Sequence, residues 1–522
     1  MSRWLKLLLR ITKRHRWSFA TMGVLVVGFL FFAIAPRVWN RMRDAFPLKP
    51  ADFSKSEQPH FPVKKAANGR YLVDQDGKPF LIFADSGWGL VGNLNVRDAA
   101  VYFTNRASVG FNSVLMTLAV SDYAGSKIAG YQTFDGLAPF TGGTSSKPGP
   151  LSQPNEPYWN RVDALIRLAA ILGLNVVAIP LETGGWLKIM EAEGVAACYR
   201  FGVFLGNRYR DFPNIIWAFG NDYDEESWSV TSTDDAVIAV ANGILSQDKN
   251  HLVTLELGSP LGSKQSFGQS TSTDNRRWWN ILGLNWGYTY FPTYATAKAA
   301  WLNASIPVVP YILGESGYEN ESWSGVEGKA KTCRRENWCS ILGGGLGGVM
   351  YGNRYIWYFS TGGVWQKSLN NHGAVQCGYL RSFLEPLHWW ELEPDFSHKF
   401  CTAGYGTEFS DLTQASTRNQ ASRSYISVDG YAPAMSTGDG TLGIVYVQNT
   451  TTLTIDLSKM SGKVTAEWYD PTNNSYSSIG EYHNSGKLQF TPPAVNSAGD
   501  QDFVLLLTTG KGKNEPFNER TL

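Results

Sequence analysis

The sequence predicts an α/β protein: a (β/α)8 barrel, then a small antiparallel β-sandwich, with one N-terminal transmembrane helix in front. Three observations predict it. Eight short, nearly continuous apolar runs recur between Pro79 and Tyr351 with helical stretches between them, as a parallel sheet covered on both faces requires. Beyond Pro394 the texture changes to alternating strands broken by turn residues. An uncharged run of 20 residues, Trp17 to Pro36, lies near the start. The chain has 522 residues, 43% of them hydrophobic and 17% charged, which suits a large buried core and excludes a disordered tether.

The apolar run is long enough, at about 1.5 Å per residue, to span the roughly 30 Å hydrocarbon layer. Arg3, Lys6, Arg10, Lys13, Arg14 and Arg16 precede it and outnumber Arg37, Arg41 and Arg43 after it, so residues 1–16 are expected in the cytoplasm. The rest is expected on the periplasmic or extracytoplasmic side, held to the inner membrane by a single pass over 17–36. Ala33-Ile-Ala35 has the pattern of a signal-peptidase site, but Pro36 follows it at once and the apolar stretch is longer than most signal cores, so the reading is an uncleaved anchor. Residues 37–67, with Pro47, Pro50, Pro59 and Pro62, form the linker. The barrel is expected over 68–393, the sandwich over 394–510 and a tail over 511–522.

Charge narrows the partners. Lys plus Arg is 46 against 45 for Asp plus Glu, yet nine of the basic residues and no acid fall within the first 43 positions. The remainder carries 37 basic against 45 acidic residues, which argues against nucleic acid. Cys198, Cys333, Cys339, Cys377 and Cys401 are odd in number and lack metal-ligand spacing, so two disulfides are the maximum and no metal is expected.

The barrel strands are expected at Pro79–Ala84, Phe111–Leu118, Leu174–Ile179, Asn214–Phe219, Leu252–Leu255, Ile281–Leu284, Pro307–Leu313 and Gly347–Tyr351. Helical patterns lie at Tyr158–Leu172, Gly194–Tyr209, Asp234–Leu245 and Cys333–Leu342. The Gly- and Ser-rich stretch Thr141–Pro150 falls in a loop on the face where barrels keep their sites. Sandwich strands are expected at Gly443–Gln448, Leu453–Leu457, Val464–Tyr469 and Phe503–Leu507.

Barrel enzymes place reactive groups just after the C-terminal ends of strands, and here those positions hold mostly carboxylates. Asp85 ends the first strand, Glu182 follows the third, Asn221 and Asp222 follow the fourth, and Glu315 ends the seventh. No HExxH, P-loop or G-x-S-x-G pattern is present. Two carboxylates across a barrel mouth suffice to cleave a glycosidic bond, one protonating the leaving oxygen and the other attacking the anomeric carbon or activating water. Asp222 and Glu315 fit these roles, with Trp217, Tyr223, Tyr311 and Tyr318 as candidates for a dry wall. The bland alternative makes Asp222 a helix cap and Glu315 the partner of an arginine. Asp85 with Trp88 could hold a sugar by hydrogen bond and stacking, or Trp88 could simply pack on the rim. Glu182 could bind hydroxyls or cap a helix. Glu319 reads as a partner standing behind Glu315, Tyr351 and Asn353 as sugar contacts by location, and His372 as a surface residue.

Five segments in order resemble the apiosidase-like glycoside hydrolases. Tyr71-Leu-Val-Asp-Gln-Asp-Gly-Lys-Pro-Phe80 with Ala84-Asp-Ser-Gly-Trp88, Leu94, Arg106 and Gly110-Phe111 resembles the family's opening. Ile215-Ile-Trp-Ala-Phe-Gly-Asn-Asp222 resembles its strand-four acid motif, and Leu313-Gly-Glu-Ser-Gly-Tyr-Glu319 its strand-seven motif. Arg334-Arg-Glu-Asn-Trp338 through Gly347-Gly-Val-Met-Tyr-Gly-Asn353 to Trp357 resembles its last helix and strand. Ala466-Glu-Trp-Tyr-Asp-Pro471, Phe490-Thr-Pro-Pro493 and Asp502-Phe-Val-Leu505 resemble the collagen-binding-type β domain that accompanies the family.

The resemblance implies Asp222 as acid/base and Glu315 as nucleophile of a retaining hydrolase; the candidate substrate contacts are Asp85, Trp88, Glu182, Asn221, Tyr288, Tyr318, Glu319, Tyr351, Asn353 and Trp357. No cofactor or metal is needed, because the acid and the nucleophile are both side chains. Three positions depart from the family pattern: Gly89 replaces a second acid after strand one, no His follows strand six in Asn285-Trp-Gly-Tyr288, and Asn221 replaces the second Gly of Gly-Gly-Asp. The expected function is hydrolysis of a cell-surface or secreted polysaccharide, an exopolysaccharide, beside its synthesis machinery; the alternative is a barrel that binds carbohydrate without cleaving it.

Overall fold

The computed structural model describes residues 60–123, 130–223, 231–257, 281–290, 292–303, 308–323, 326–409 and 430–510. The expected membrane segment at 17–36 and most of the linker lie outside these residues. Among the described residues no helix is long and apolar enough to cross a membrane.

Eight parallel strands form the barrel: β1 Ile82–Ser86, β2 Ser113–Thr117, β3 Asn175–Ile179, β4 Ile215–Tyr223, β5 Leu252–Leu257, β6 Asn285–Tyr288, β7 Tyr311–Glu315 and β8 Gly348–Tyr351. Their order is β5-β4-β3-β2-β1-β8-β7-β6. The seam between β5 and β6 is bridged where Gly283 N–H donates to the Val253 carbonyl at 2.9 Å and Thr254 Oγ1 donates to the Leu284 carbonyl at 3.0 Å. Alternation along each strand sends one set of side chains inward, among them Ile82, Ala84, Val177, Ile179, Ile216, Ala218, Trp286 and Ile312. The opposite set, including Phe83, Leu313 and Val349, packs outward against the helices. Both faces are dry, hence the continuous apolar runs in the sequence. A small antiparallel sheet of Pro62–Lys65, Leu72–Asp74 and Pro79–Phe80 delivers Leu72 into the interior core and covers the N-terminal end of the barrel.

The main helices are α1 Val96–Val109, α2 Glu156–Ile171, α3 Thr183–Glu193, α4 Val195–Tyr209, α5 Thr231–Gln247, α6 Thr293–Leu302, α7 Ala330–Leu342 and α8 His372–Leu384. Asn95 starts α1 by accepting the Asp98 N–H at 2.8 Å, and Gly110 ends it in the left-handed conformation at φ 110°. The sixth strand differs from expectation. The apolar run Ile281–Leu284 is a lead-in turn and the strand begins at Asn285, so Tyr288 sits at its C-terminal end. The seventh begins at Tyr311, after Pro310.

The C-terminal domain comprises β9 Leu392–Pro394, β10 Cys401–Ala403, β11 Ala434–Thr437, β12 Leu442–Val447, β13 Leu453–Asp456, β14 Val464–Asp470, β15 Ser475–Tyr482, β16 Lys487–Phe490 and β17 Phe503–Thr508. A six-stranded antiparallel sheet, β9-β11-β12-β17-β14-β15, faces a three-stranded one, β10-β13-β16, across Phe400, Val445, Ile455, Trp468, Phe490 and Leu505. Its strand β9 is formed from Leu392, just past the barrel's last helix. The other face of the large sheet is covered too: Ile444, Tyr446, Tyr469 and Leu506 pack on α7 and α8, with Trp338 stacked on Tyr446 at 5.7 Å between ring centres. That second contact explains why β12 and β17 are buried along their whole length instead of alternating. It also explains why α7, polar in sequence, is buried on nearly every side. All five cysteines are buried.

Candidate active site

The C-terminal end of β4 is built around three successive residues with positive φ: Gly220 at 95°, Asn221 at 92° and Asp222 at 48°. The β4–β5 register shifts between Gly220 and Tyr223, so this is a bulge. Gly220 is obligatory there, since a Cβ would fall 2.0 Å from the Glu256 carbonyl oxygen. The bulge leaves Asp222 half-buried between buried neighbours and aims it into a cleft. Tyr123, from the loop after β2, donates its hydroxyl to Asp222 Oδ2 at 2.6 Å.

Across the mouth, Glu315 ends β7. Tyr318 donates to Glu315 Oε1 at 2.9 Å, and the Trp88 indole N–H donates to the Tyr318 oxygen at 2.7 Å. Burial pushes the Glu315 carboxyl up to about 7; the hydrogen bond from Glu256 opposes the rise, the Asp222 charge adds to it, and the Tyr318 bond opposes it. Among the described residues no arginine pairs with Glu315, so the bland reading of that residue does not describe it.

The cleft, about 300 Å³, is walled by Trp88, Tyr288, Tyr290, Tyr318 and Trp357, with Glu182, Asn221, Asp222, Glu315 and Glu321 as its polar lining beside Tyr123 and Ser316. Larger hollows exist elsewhere, one of about 570 Å³ between the N-terminal hairpin and α8, but they lie away from the strand ends that carry the carboxylates. The flat aromatic faces suit sugar rings, and the paired carboxylates suit acid and nucleophile.

Eight of the sequence-predicted site residues therefore come together: Trp88, Glu182, Asn221, Asp222, Tyr288, Glu315, Tyr318 and Trp357. Four others stand outside the lining. Asp85 is fully buried and bonded to Tyr102 (2.8 Å) and Arg106 (3.3 Å), an ion pair that ties β1 to α1 instead of reaching a sugar. Glu319 accepts from the Tyr351 hydroxyl at 2.5 Å and the Gly373 N–H at 3.1 Å, while Asn353 donates to the Tyr351 oxygen at 3.0 Å. These three brace the loops after β7 and β8 from behind. Glu182 occupies the position preceding α3, yet its side chain makes no cap; it accepts from the Ser121 hydroxyl. Of the expected dry wall, only Tyr318 contributes. Trp217 turns outward, donating to Asp248 at 2.8 Å, and Tyr311 packs beneath Gly287.

The sequence reading missed Tyr123, Tyr290, Ser316, Glu321 and Glu256. Glu256 was detectable, because it directly follows the expected fifth strand and obeys the same strand-end rule that found Glu315. Tyr123 had no such signal, being six residues beyond β2 in an irregular loop.

A barrel of this topology with paired strand-end carboxylates in one aromatic cleft defines a glycoside hydrolase. The chain belongs to the apiosidase-like family: the profile described as "Apiosidase-like, catalytic domain" matches residues 66–391. Residues 426–508 match "Putative collagen-binding domain of a collagenase". A solved structure titled "Glycoside hydrolase" is 24% identical, with a TM-score of 0.66, and the alignment covers 86% of this chain and 97% of that one. A glycoside hydrolase family 5 protein from Bacteroides vulgatus is 22% identical, with a TM-score of 0.67, covering 86% of this chain and 93% of that one. Both share the fold. No curated protein matches the chain.

Proposed function

We propose that the protein is a membrane-anchored, extracytoplasmic hydrolase of a cell-surface or secreted polysaccharide, acting with retention through Asp222 as acid/base and Glu315 as nucleophile. The observation that carries this reading is that each carboxylate sits at a strand end, in one aromatic cleft, held by a tyrosine hydroxyl and, among the described residues, by no cation. Tyr123 engages Asp222 Oδ2, which leaves Oδ1 to carry the proton for the leaving oxygen. Glu315 attacks the anomeric carbon, the C–O bond to the leaving group breaks, and Asp222 then takes a proton from the water that releases the sugar. The anchor at 17–36 places this chemistry at the membrane surface, beside any exopolysaccharide-synthesis machinery.

Among the described residues the lining holds Glu182, Asp222, Glu315 and Glu321 and no Lys, Arg or His. Such a cleft repels uronates and suits neutral or amine-bearing sugars.

The test is cleavage of neutral, amine-bearing and uronate polysaccharides by the full chain. Neutral or amine-bearing polymers should be cut, with the first product keeping its anomeric configuration by NMR. Asp222→Asn and Glu315→Gln should each lower kcat by several orders of magnitude without unfolding the protein. Binding of a glycan without cleavage would favour a carbohydrate-binding barrel, and an inverted product would make Glu315 a base for water. Protease digestion of the barrel from outside spheroplasts checks the topology; a protected barrel would overturn it.

A further inference from the structure

Glu256, at the end of β5, belongs to none of the roles above. It is fully buried beneath the cleft, and its strand partner is Gly220, the residue that opens the Asp222 bulge. Its carboxyl lies within hydrogen-bonding reach of Glu315. Among the described residues no side-chain donor bonds either Glu256 oxygen or Glu315 Oε2, and the Asp222 backbone N–H faces Glu256.

Two acceptor-only groups cannot meet in a dry site unless one of them carries a proton. Among the described residues the ionisable groups around the pair are Asp222 from β4, Tyr288 from β6, Tyr318 and Glu321 after β7 and Tyr123 after β2. None of these is a cation, so none of them offsets a second negative charge. The two partners also differ. Glu315 has the Tyr318 hydroxyl and a place on the cleft wall, whereas Glu256 has neither. The proton therefore belongs on Glu256, and burial together with the neighbouring Glu315 raises its affinity for that proton well above the ordinary carboxylate range.

We propose that Glu256 is a positioning residue that remains a carboxylic acid at neutral pH and donates its O–H to Glu315, fixing one oxygen of the nucleophile from below. The proposal rests on Glu315 being the nucleophile, but the location of the proton can be read without turnover. An infrared difference spectrum at neutral pH, wild type minus Glu256→Gln, should contain a buried carboxylic-acid C=O band that shifts on deuteration. The same band should survive in Glu315→Gln. Its absence from the wild-type minus Glu256→Gln spectrum would overturn the proposal even if the protein cleaved no sugar at all.

Kinetics on para-nitrophenyl glycosides of neutral sugars supplies the second arm. Glu256→Gln keeps an N–H donor toward Glu315, so kcat/KM and its acidic limb should stay close to wild type. Glu256→Leu removes the donor and should lower kcat/KM about tenfold to a hundredfold, with the acidic limb displaced to higher pH. A downward displacement in Glu256→Gln would mean that Glu256 had been an anion, and the proposal would fall. Cleavage absent from the wild type would instead remove the hydrolase reading and leave the infrared result standing.

Discussion

The Tyr318 hydroxyl donates to Glu315 Oε1 across 2.9 Å. Its own oxygen accepts the Trp88 indole N–H at 2.7 Å, which leaves the phenolic proton for Glu315. Trp88 thereby acts on the chemistry through Tyr318 as well as by lining the cleft.

Tyr318→Phe should remove one donor from the nucleophile while keeping the ring in the wall. A hydrogen bond to a charged group contributes about 1.5 to 3 kcal/mol, so kcat/KM should fall by about tenfold to a hundredfold. The sign of the pH effect follows from the same bond. Glu315 must be ionised to attack, its carboxyl is already held up to about 7, and losing Tyr318 removes an interaction that lowers it. The acidic limb of kcat/KM should therefore move to higher pH. An unmoved limb with reduced kcat would show that Tyr318 serves packing instead of charge.

Asn221 shows how a local departure from a family pattern acquires a physical meaning. The family usually has glycine at this position, and the structure gives the reason: φ is 92°, where a Cβ is strained. Asparagine tolerates the left-handed region better than other side chains do. Asn221→Gly should accordingly raise stability by about 1 kcal/mol, and Asn221→Ala should lower it by a similar amount, in chemical denaturation. Equal stabilities for the three would mean that the Asn221 side chain compensates for its backbone.

How much of this was legible in the sequence depended on periodicity and on rules tied to strand ends. The barrel strands announce themselves because both faces are dry, and Asp222, Glu315 and Trp88 follow from counting to the end of an apolar run. Asp85 obeyed the same rule and misled, because its partner Arg106 lies 21 positions away and only packing brings the two together. Tyr311 and Trp217 misled for a related reason, since alternation along the strand turned them away from the mouth. The contact between barrel and sandwich left only an indirect trace, a helix whose Arg-Arg-Glu-Asn run reads as solvated but is buried against a second domain.

Arg334 in that helix makes the interface testable. It donates to both Asp502 oxygens at 2.7 and 2.6 Å, to Gln376 at 2.8 Å and to Asp500 at 2.8 Å, while Tyr446 donates to Asp502 at 2.8 Å. Both members of the Arg334–Asp502 pair are essentially unexposed. Arg334→Leu leaves the Asp502 charge buried without its cation and should cost about 3 to 5 kcal/mol. Asp500→Asn, at a partly exposed position, should cost about 1 kcal/mol or less. Because Trp338, Tyr446 and Tyr469 share one core with the barrel helices, thermal unfolding should remain a single transition in Asp500→Asn. A separate sandwich transition in wild type would contradict the shared core.

Glu336, two residues further along the same helix, accepts the Gly317 N–H at 3.2 Å and so holds the loop that follows Glu315. Burial raises its carboxyl from the ordinary 4.5 to about 8, only partly opposed by the Gly317 and Ser316 hydrogen bonds and by Arg335. The folded state therefore binds a proton that the unfolded state has released across this interval. Stability from this group is complete below the unfolded value and declines as pH rises from about 4.5 through about 8, by an amount on the order of a few kcal/mol. Glu336→Gln keeps a carbonyl oxygen for Gly317 and has nothing to titrate. Its melting temperature, measured against wild type over that interval, should gain on the wild type steadily as pH rises. Parallel curves would mean that Glu336 is already ionised in the folded protein, and that the loop carrying Ser316 and Gly317 is held by a carboxylate instead of an acid.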